Sequence, residues 1–448
     1  MNILLVNYSY FPYNFGGTEI YVSGLVKYLD SCGHQVTIIS GVPEKAFIDN
    51  GVYFEDKHIK SVIYKFDGVT VLGVLIKNTS TVEIYRKSRP EAVKSWVTLL
   101  NYLPIQNWDI LHFHAHTSAF GINVIEAVKI KSQLVKIIVS YHLPLSCVKN
   151  NLMYKNQLQE CVIRPTATIC SACYLSERKS IPFQIAKSIV KILSRFRSKY
   201  LPFIFRLKYL VKQSIDAFKE FDNEVDSWYV FSNQIKQTLI LNQVEEKKIL
   251  LLSHGVSKVF EKNNLFDLRT QSKSTNIVFL YVGRFEKIKG FYTLLKSWIE
   301  LKETNNRKLE IIGTNQSDDV EINNIIKKAK CRNDIVWHGK KSQDEIATIM
   351  LSAHCTIIPS ECVEIGPLVF HEAISCGTDV IASDIGGCKE LVKYYAAKSL
   401  SFKTGSTKSL QERILNFSYS NKLLKVNTQI ANYSQVEIHY QKLGFNSV

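Results

Sequence analysis

The chain has 448 residues, and at about 100–200 residues per domain this length predicts two or three domains. Apolar residues make up 46% and charged residues 21%, a balance that excludes an intrinsically disordered or collagen-like protein. Lysine and arginine together (56) exceed aspartate and glutamate (40) by 16. That excess predicts a polyanionic partner, which could be a nucleic acid, an anionic membrane or a phosphorylated substrate.

The sequence carries no signal for crossing a membrane. No run of eighteen consecutive apolar residues occurs, so a spanning helix is not expected. The stretch from Met1 to Ser9 has no basic segment ahead of its apolar residues, and we therefore expect no signal peptide. Without a secretory signal, the ten cysteines indicate a reducing compartment and mostly free thiols. These features predict a cytoplasmic protein.

A first series of alternating strands and helices is predicted over residues 1–257. The segment NILLVN at residues 2–7 is almost wholly apolar, as a parallel strand buried on both faces would be. A turn with Gly16 and Gly17 follows, and Thr18 is the expected N-cap of a helix whose apolar residues recur at helical spacing. Further strands are predicted at 35–40, 61–66, 109–113, 135–141, 228–232 and 248–253.

The alternation fails over residues 149–216, which we interpret as an insertion. From Arg178 to Ile215 ten residues are basic and none is acidic. A helix ended by Pro202 would carry one apolar and one basic face, formed by Ile185, Ile189, Ile192, Leu193, Phe196 and Tyr200 and by Lys187, Lys191, Arg195 and Lys199. This pattern predicts an anchor on the inner face of the cell membrane, on anionic lipid. The alternative is a packed helix with a solvated basic face.

The alternation restarts at Asn276. Strands are predicted at 277–282, 309–313, 335–338, 355–358 and 380–383, with helices at 291–301, 320–329, 343–352 and 368–375. We therefore expect an α/β protein with two doubly wound domains facing each other, joined by a linker at 258–275. The second domain would span 276–430, and a helix at 431–448 would return to the first. Ligands of such sheets bind beyond the carboxyl ends of the strands.

The strongest candidate site follows the strand at 355–358. Glu364 lies in the predicted loop, Gly366 and Pro367 open a helix, and Glu372 lies inside that helix. The unpaired N–H groups of a helix N-terminus suit a phosphate. A carboxylate just before the helix can hold sugar hydroxyls, and one within it can reach a ribose. Two unrelated surface glutamates are the alternative interpretation.

A second candidate site is YVGRFEKIKG, residues 281–290. Gly283 permits a tight turn at the end of the strand, and Arg284 and Lys289 follow in the loop. Two cations at this place are suited to neutralising a diphosphate, unless they are simply solvated charges. Neither GxGxxG nor GxxxxGK[ST] occurs in the chain, which argues against NAD enzymes and P-loop kinases.

Together with the glycine pair near the N-terminus, these motifs resemble the retaining glycosyltransferases of family 4, which have the GT-B fold of two facing Rossmann-like domains. The resemblance implies that Arg284 and Lys289 bind the donor diphosphate, that Glu364 contacts the transferred sugar and that Glu372 contacts the ribose. It implies a catalytic role for His142 in SYHLPL as well. The remaining substrate-binding positions that it implies are Gly16, Gly17, Gly283, Gly366, Pro367 and Leu368.

Two positions depart from the family pattern. Ile365, Gly366 and Pro367 stand where many members have Gly-Phe-Gly, which leaves the donor preference open. Asp379 stands where a proline is usual, and we expect no chemical consequence.

The resemblance implies transfer of a sugar from a nucleotide-diphosphate donor to a hydroxyl, with retained anomeric configuration and no divalent metal. The basic insertion points to a lipid-linked glycan acceptor, as in surface polysaccharide or lipopolysaccharide synthesis. Nucleic acid is not an expected partner, because the positive charge is concentrated in the insertion and no recognition module accompanies it. A nucleotide-sugar epimerase and a catalytically silent, membrane-bound partner remain as alternatives.

Four cysteines follow His142, one just before the predicted insertion and three within it. Cys170 and Cys173 form a pair at the spacing used to chelate zinc, and Cys147 and Cys161 would complete a tetrahedral site. These four thiols could hold a structural zinc ion, but the interpretation that the sequence favours is four unliganded thiols in a reducing compartment.

Overall fold

Each of two units of the chain is organised around its own sheet of mainly parallel strands. In the computed structural model the first unit comprises Met1–Leu252 with Asn432–Val448, and the second comprises Ser253–Ala431. The structure describes residues 1–77, 89–105, 107–114, 117, 120–144, 146–155, 159–193, 202–252, 254, 256–261, 276–315, 319–419 and 433–445. Most of the predicted linker, residues 262–275, lies outside this described part.

The first unit contains a large sheet and a small hairpin. Its described strands are β1 Asn2–Asn7, β2 Gln35–Gly41, β3 Phe54–Glu55, β4 Ile59–Phe66, β5 Val69–Ile76, β6 Ile110–Phe113, β7 Lys136–Ser140, β8 Met153–Tyr154, β9 Gln159–Glu160, β10 Ser227–Val230 and β11 Ile249–Leu251. The sheet order is β11-β10-β7-β6-β1-β2-β5-β4-β3, with β8 and β9 paired separately. The chain leaves β1 in opposite directions toward β2 and β6, so a topological switch point lies between β1 and β6.

One edge of this sheet differs from the prediction. The sequence analysis assigned a lone strand at 61–66, whereas β4 pairs with β5 in an antiparallel hairpin. The turn is Asp67-Gly68, and both residues have positive φ angles (49° and 83°). An Asp-Gly pair between apolar strands is a strong hairpin signal, because a type I′ turn requires positive φ at both central residues. The prediction overlooked that signal.

The helices of the first unit alternate with its strands until the insertion begins. They are α1 Gly17–Ser31, α2 Lys45–Asn50, α3 Pro90–Asn101, α4 Ile122–Lys131, α5 Ala167–Lys179, α6 Phe183–Leu193, α7 Phe203–Glu224 and α8 Asn233–Leu241. The N-cap of α1 is Gly16, in an extended conformation, and not Thr18, which lies inside the first turn. The predicted N-cap was therefore wrong by two residues.

The predicted insertion contains α5, α6 and most of α7, which pack against one another. Six residues form their buried core: Ala172, Leu175, Ala186, Val190, Leu207 and Val211. The apolar face predicted for α6 is only partly buried. Ile189 packs against this core, whereas Ile185 and Ile192 are 52% and 58% exposed. Pro202 is the N-cap of α7. The predicted face residues Arg195, Phe196, Lys199 and Tyr200 lie outside the described residues.

The second unit has six described strands and six described α-helices. They are β12 Ile277–Val282, α9 Phe291–Glu300, β13 Arg307–Ile312, α10 Val320–Ala329, β14 Ile335–Gly339, α11 Gln343–Ser352, β15 Cys355–Ile358, α12 Leu368–Ser375, β16 Asp379–Ser383, α13 Gly386–Tyr394, β17 Ser399–Phe402 and α14 Thr407–Leu415. The strands are parallel in the order β14-β13-β12-β15-β16-β17.

Apolar cores cover both faces of this second sheet. Successive strand residues point to opposite faces, so Phe279 and Tyr281 join one cluster while Leu280 joins the other. At the start of β16, Asp379 forms an ion pair with Lys398 at 2.9 Å. The strand order reverses between β12 and β15, which places a topological switch point at their carboxyl ends.

The last described helix, α15 (Tyr433–Phe445), belongs to the first unit. Tyr433 lies against Gly24 of α1, where a Cβ atom would come within 2.2 Å of the tyrosine hydroxyl. The missing side chain of Gly24 therefore allows α15 to pack closely against α1. Among the described helices, none combines the length and the apolar character needed to span a bilayer.

Candidate functional site

A partly buried ion pair lies at the switch point of the second unit. The Nζ atom of Lys289, in the loop after β12, is 2.8 Å from Oε1 of Glu364, in the loop after β15. The Ser360 hydroxyl donates to the same carboxylate oxygen at 2.7 Å. The lysine and glutamate side chains are 30% and 14% exposed. Two residues separated by 75 positions in the chain are thus brought together at the ligand-binding edge of the sheet.

Each member of this pair keeps the other charged. Burial opposes ionisation of Glu364, but the adjacent Lys289 ammonium outweighs it and lowers the pKa of the carboxyl below its usual value. Burial likewise acts against the charged lysine, and the Glu364 carboxylate raises the pKa of Lys289 above its usual value. The pair therefore presents a fixed positive and a fixed negative charge at neutral pH.

Arg284 lies in the same loop but is more exposed. Its Nη1 atom is 2.9 Å from Oε1 of Glu286, and its side chain is 53% exposed. The buried Tyr281 hydroxyl donates to the carbonyl of Arg284 at 2.7 Å, which fixes the backbone next to Gly283. The guanidinium group is therefore paired within its own loop, and about half of the side chain is exposed to solvent.

Glycines hold the two loops close to each other. Gly290 has a φ of +67°, and a Cβ atom there would come within 1.7 Å of the Pro359 carbonyl oxygen. Gly387 donates its N–H to the Glu364 carbonyl at 2.7 Å, and a Cβ atom on Gly386 would come within 2.9 Å of the Glu364 backbone. The Gly386-Gly387 pair thus packs closely against the loop that carries Glu364.

Helix α12 starts where the sequence predicted. Leu368 is its first residue, Pro367 precedes it at the N-cap, and no described side chain caps this N-terminus. Gly366 lies immediately before the proline. The first N–H groups of α12 are therefore available to an anion.

Glu372 lies in the second turn of α12 and is only 7% exposed. Burial raises the pKa of its carboxyl to about 7. Over the described residues it has neither an ion pair nor a side-chain hydrogen bond, so it is a poorly solvated acceptor close to the helix N-terminus. Such a group gains from a ligand that donates hydrogen bonds to it.

The raised pKa of Glu372 predicts that the free energy of unfolding depends on pH. In the unfolded chain this carboxyl loses its proton near its usual value of about 4.5, whereas in the folded chain it does so near 7. The folded state therefore holds the extra proton between these values, and its stability falls as the pH rises through them. Glu372→Gln removes this loss. In urea unfolding, the variant and the unmodified protein should have similar free energies of unfolding at pH 5, and the variant should be more stable by about 3 kcal/mol at pH 8.

The exposed Glu412 in the same unit provides the matched control, and Glu412→Gln should not alter the pH dependence. Equal stabilities of Glu372→Gln and the unmodified protein at pH 8 would show that Glu372 is not desolvated.

In the first unit, Gly16 and Gly17 lie after β1, at the switch point of that sheet. A Cβ atom on Gly16 would come within 2.5 Å of Glu19 Oε2. Glu19 is itself 6% exposed and accepts a hydrogen bond from the Ser9 hydroxyl at 2.6 Å. Asn14 donates to the same serine hydroxyl at 2.6 Å. Sequence analysis missed Glu19, although its place directly after Gly-Gly-Thr could have suggested that it organises the turn.

His142 follows β7 and lies in a group of aromatic side chains. Its Nε2 atom is 3.2 Å from Nδ1 of His114, and its ring packs on Phe231 and Tyr21 with centroid distances of 4.9 and 4.8 Å. Burial, with smaller effects of neighbouring histidines, holds the pKa of both His114 and His142 well below the usual value. His142 is therefore a neutral imidazole. His114, which the prediction did not use, is its direct neighbour.

The four predicted zinc ligands lie around one small cavity. Its volume is about 40 Å³, and Cys147, Cys161, Cys170 and Cys173 all line it. Over the described residues, which include these four, no three His, Cys, Asp or Glu side chains lie close enough together to hold a metal ion. A zinc ion would require the thiols to move together, so the zinc site stays a prediction.

Metal analysis of the purified protein tests this prediction. If zinc is structural, the protein should contain about one equivalent, and Cys170→Ser/Cys173→Ser should lose it together with thermal stability. Cys32 and Cys331 are exposed elsewhere, so Cys32→Ser/Cys331→Ser should keep the metal. Protein that contains no zinc when purified without chelators would leave the four residues as ordinary thiols.

Comparison with known proteins places these sites in context. Residues 266–435 match the family Glycosyl transferases group 1. An uncharacterized glycosyltransferase of Methanocaldococcus jannaschii is 23% identical over 275 residues, which are 60% of this chain and 65% of that protein. The lipopolysaccharide 1,2-N-acetylglucosaminetransferase of Salmonella typhimurium is 24% identical over 193 residues, 41% of this chain and 51% of that protein. The chain thus covers less than two thirds of either relative.

Solved structures resemble the chain over its whole length. A glycosyltransferase from Rickettsia africae has a TM-score of 0.59 at 18% identity and covers 100% of this chain and 99% of its own. HepE of Anabaena, solved in complex with UDP and glucose, has a TM-score of 0.57 at 14% identity, with 100% and 99% covered. These likenesses confirm the predicted fold class: the chain has the α/β GT-B fold.

Proposed function

We propose that the protein is a retaining glycosyltransferase of family 4 that moves a hexosyl group from a nucleotide-diphosphate sugar to a hydroxyl acceptor. The observation that carries the proposal is the partly buried Lys289–Glu364 pair at the switch point, beside Arg284 and the start of α12. A glycosyl transfer from such a donor releases a nucleoside diphosphate. The second unit offers fixed positive charge where this leaving group would bind.

The leaving group needs stabilisation because its charge grows as the glycosidic bond breaks. The Lys289 ammonium, the exposed Arg284 guanidinium and the first N–H groups of α12 would supply it. Because these groups are preorganised, we propose that transfer proceeds without a divalent metal. Glu364 would contact the transferred sugar, and the desolvated Glu372 would accept hydrogen bonds from the ribose. Retained configuration means that the acceptor attacks the face from which the diphosphate leaves.

The first unit contributes neutral groups to this proposal. His142 stays uncharged, so it can hydrogen-bond a sugar hydroxyl as a neutral imidazole. Gly16 and Gly17 carry no side chains of their own, which suits close approach of a ligand to the backbone, and the Glu19 carboxylate lies beside Gly16. The structures of HepE contain UDP, which makes UDP-sugars the first donors to test.

The decisive experiment is product analysis with a panel of nucleotide sugars, with and without a lipid-linked glycan acceptor and in the presence of EDTA. A transferase forms a new glycoside of retained anomeric configuration only when the acceptor is present. An epimerase would convert the donor without any acceptor. A silent partner would bind the donor, which a thermal shift detects, and form neither product. Formation of an inverted product would reject the proposed mechanism.

We further propose that the acceptor is lipid-linked and that the α5–α7 bundle contacts an anionic membrane, as in synthesis of lipopolysaccharide or a surface polysaccharide. Four large apolar side chains of the bundle are exposed: Ile185, Ile192, Phe203 and Tyr209. Basic residues accompany them, and no acidic residue occurs from Arg178 to Ile215. An apolar surface with this charge pattern suits an interface of anionic headgroups.

Surface substitutions test the membrane contact without disturbing the bundle. Deleting the segment from Gln184 to Ile215 would remove core residues such as Val190 and Leu207 and is expected to unfold the bundle. Ile185→Ser/Ile192→Ser changes only exposed side chains, and it should weaken binding to phosphatidylglycerol vesicles roughly tenfold or more, because two isoleucines no longer enter the interface. Co-sedimentation measures this binding.

Ile48 and Ile130 are 83% and 62% exposed elsewhere in the first unit, so Ile48→Ser/Ile130→Ser is the matched control and should bind normally. Binding of the unmodified protein should also fall at high salt and on neutral phosphatidylcholine. Equal vesicle affinity of both double variants would argue against the bundle as the contact surface.

A further inference from the structure

We propose that Tyr440, in the C-terminal helix α15, is a positioning residue for His142 and acts on it through His112 and His114. This inference rests on the proposed function, in which His142 contacts the substrate. Tyr440 and His142 are not in direct contact in the described structure; a chain of two buried imidazoles connects them. The hydroxyl of a residue near the end of the chain would thus contribute to the site at the switch point of the first unit.

The first step of this connection fixes His112 on β6. The Tyr440 hydroxyl forms a hydrogen bond with Nδ1 of His112, and the Ser140 hydroxyl lies 2.8 Å from Nε2 of the same ring. His112 and Tyr440 are both fully buried. Because both ring nitrogens have partners, the imidazole has one favoured orientation. Loss of the Tyr440 hydroxyl would leave a buried nitrogen unpaired, and the ring would lose that restraint.

The second step passes from His112 to His114. The two ring centroids are only 4.1 Å apart, so any rotation of one ring displaces the other. His114 forms a hydrogen bond through Nδ1 to Nε2 of His142, while its buried Nε2 atom has no hydrogen-bond partner in the described part of the chain. With a hydrogen bond on one side only, His114 is otherwise held by ring contacts, of which the one with His112 (4.1 Å) is shorter than the one with Tyr21 (5.8 Å).

The third step reaches His142. Its ring stacks on His114, with a centroid distance of 5.4 Å, and on Phe231, with a centroid distance of 4.9 Å, and it also contacts Tyr21 at 4.8 Å. The interplanar angles are 24° and 22°, so the imidazole is held nearly parallel to both neighbours. A displacement of His114 therefore tilts the His142 ring and moves its Nε2 atom, which is hydrogen-bonded to His114. Small errors in the placement of a group that contacts substrate are costly in rate.

The test removes one oxygen atom. Tyr440→Phe keeps the ring and its packing, and we expect kcat to fall roughly tenfold to a hundredfold, with KM for the donor and the melting temperature little changed. Ser140→Ala, which removes the other partner of His112, should give the same result and serves if Tyr440→Phe does not fold. Ile438 lies on the exposed side of the same helix, and Ile438→Ala should leave kcat unchanged.

A double-mutant cycle with His142 shows whether the effect passes through that residue. In a His142→Gln background, Tyr440→Phe should cost less than about twofold in kcat, because the group that it positions is absent. If the full loss persists in that background, Tyr440 acts by another route and the proposal is overturned.

A second readout does not depend on activity. In protein labelled with ¹⁵N-histidine, with the His142 ring signals assigned from His142→Gln, Tyr440→Phe should shift those signals and Ile438→Ala should not. Unshifted His142 signals would overturn the proposal, whatever the activity. A protein that transfers no sugar yet shows the shift would reject the proposed function and leave the connection between Tyr440 and His142 in place.

Discussion

Lys289→Ala is expected to lower turnover by roughly a hundredfold or more, the typical loss when one preorganised group that stabilises developing charge is removed. Lys289 lies 2.8 Å from Glu364, and only 30% of its side chain is exposed to solvent. The leaving diphosphate would lose its nearest counter-charge at the moment when its own charge grows. Steady-state kinetics with a saturating donor measures the change.

Lys287→Ala is the matched control, because Lys287 lies two residues away in the same loop and pairs instead with Asp319 at 3.1 Å. It should keep nearly full turnover. Lys289→Ala also leaves Glu364 without its partner, so a melting curve must accompany the kinetics. Arg284→Ala avoids this complication since Arg284 is half exposed, and it should lower turnover to a similar extent. Normal turnover of both Lys289→Ala and Arg284→Ala would reject the diphosphate site.

Gly290→Ala is expected to disrupt the site by a purely steric route. A Cβ atom at this position would lie 1.7 Å from the Pro359 carbonyl oxygen, which is backbone and cannot rotate away. The loop that carries Lys289 must then move away from the loop that carries Glu364. We expect a loss of about 2–5 kcal/mol in the free energy of unfolding, the sum of left-handed strain and overpacking, and a loss of donor affinity.

Gly339→Ala separates the two contributions. Gly339 has nearly the same φ, +69° against +67°, but a Cβ atom there would meet nothing within 4 Å. It should therefore show only the conformational cost of about 1–2 kcal/mol. Chemical denaturation of both variants gives the difference, and calorimetric titration with a nucleoside diphosphate gives the affinity. Equal effects of the two substitutions would mean that the close approach of the two loops is unimportant.

The sequence alone predicted the parts of the second unit that depend on local pattern. The bounds of α10, α11 and α12 were right to the residue, because caps and apolar spacing are local features. Arg284, Lys289 and Glu364 were assigned to the carboxyl ends of strands, and the structure has them there. The pairing of Lys289 with Glu364 could be suspected from the shared sheet edge, but not its 2.8 Å geometry.

Contacts between distant segments were beyond sequence reasoning. Glu19, Ser360 and Gly386 acquire their roles only through neighbours that the fold supplies, and Tyr440 meets His112 across more than 300 positions of the chain. Helical spacing gave α6 an apolar face but could not indicate which part of it α5 and α7 would cover. The division between buried Val190 and exposed Ile192 is a property of the bundle, not of the helix.

Because α15 belongs to the unit formed by the first 252 residues, the order of synthesis has a consequence for folding. All residues of the second unit leave the ribosome before Tyr433 and Tyr440 do, an interval of roughly 10–35 s at about 5–20 residues per second. During that time the early sheet exists without its final helix, and the imidazole of His112 lacks one of its partners. The nascent amino-terminal half should therefore be most open to proteolysis and chaperone capture until α15 has been synthesised.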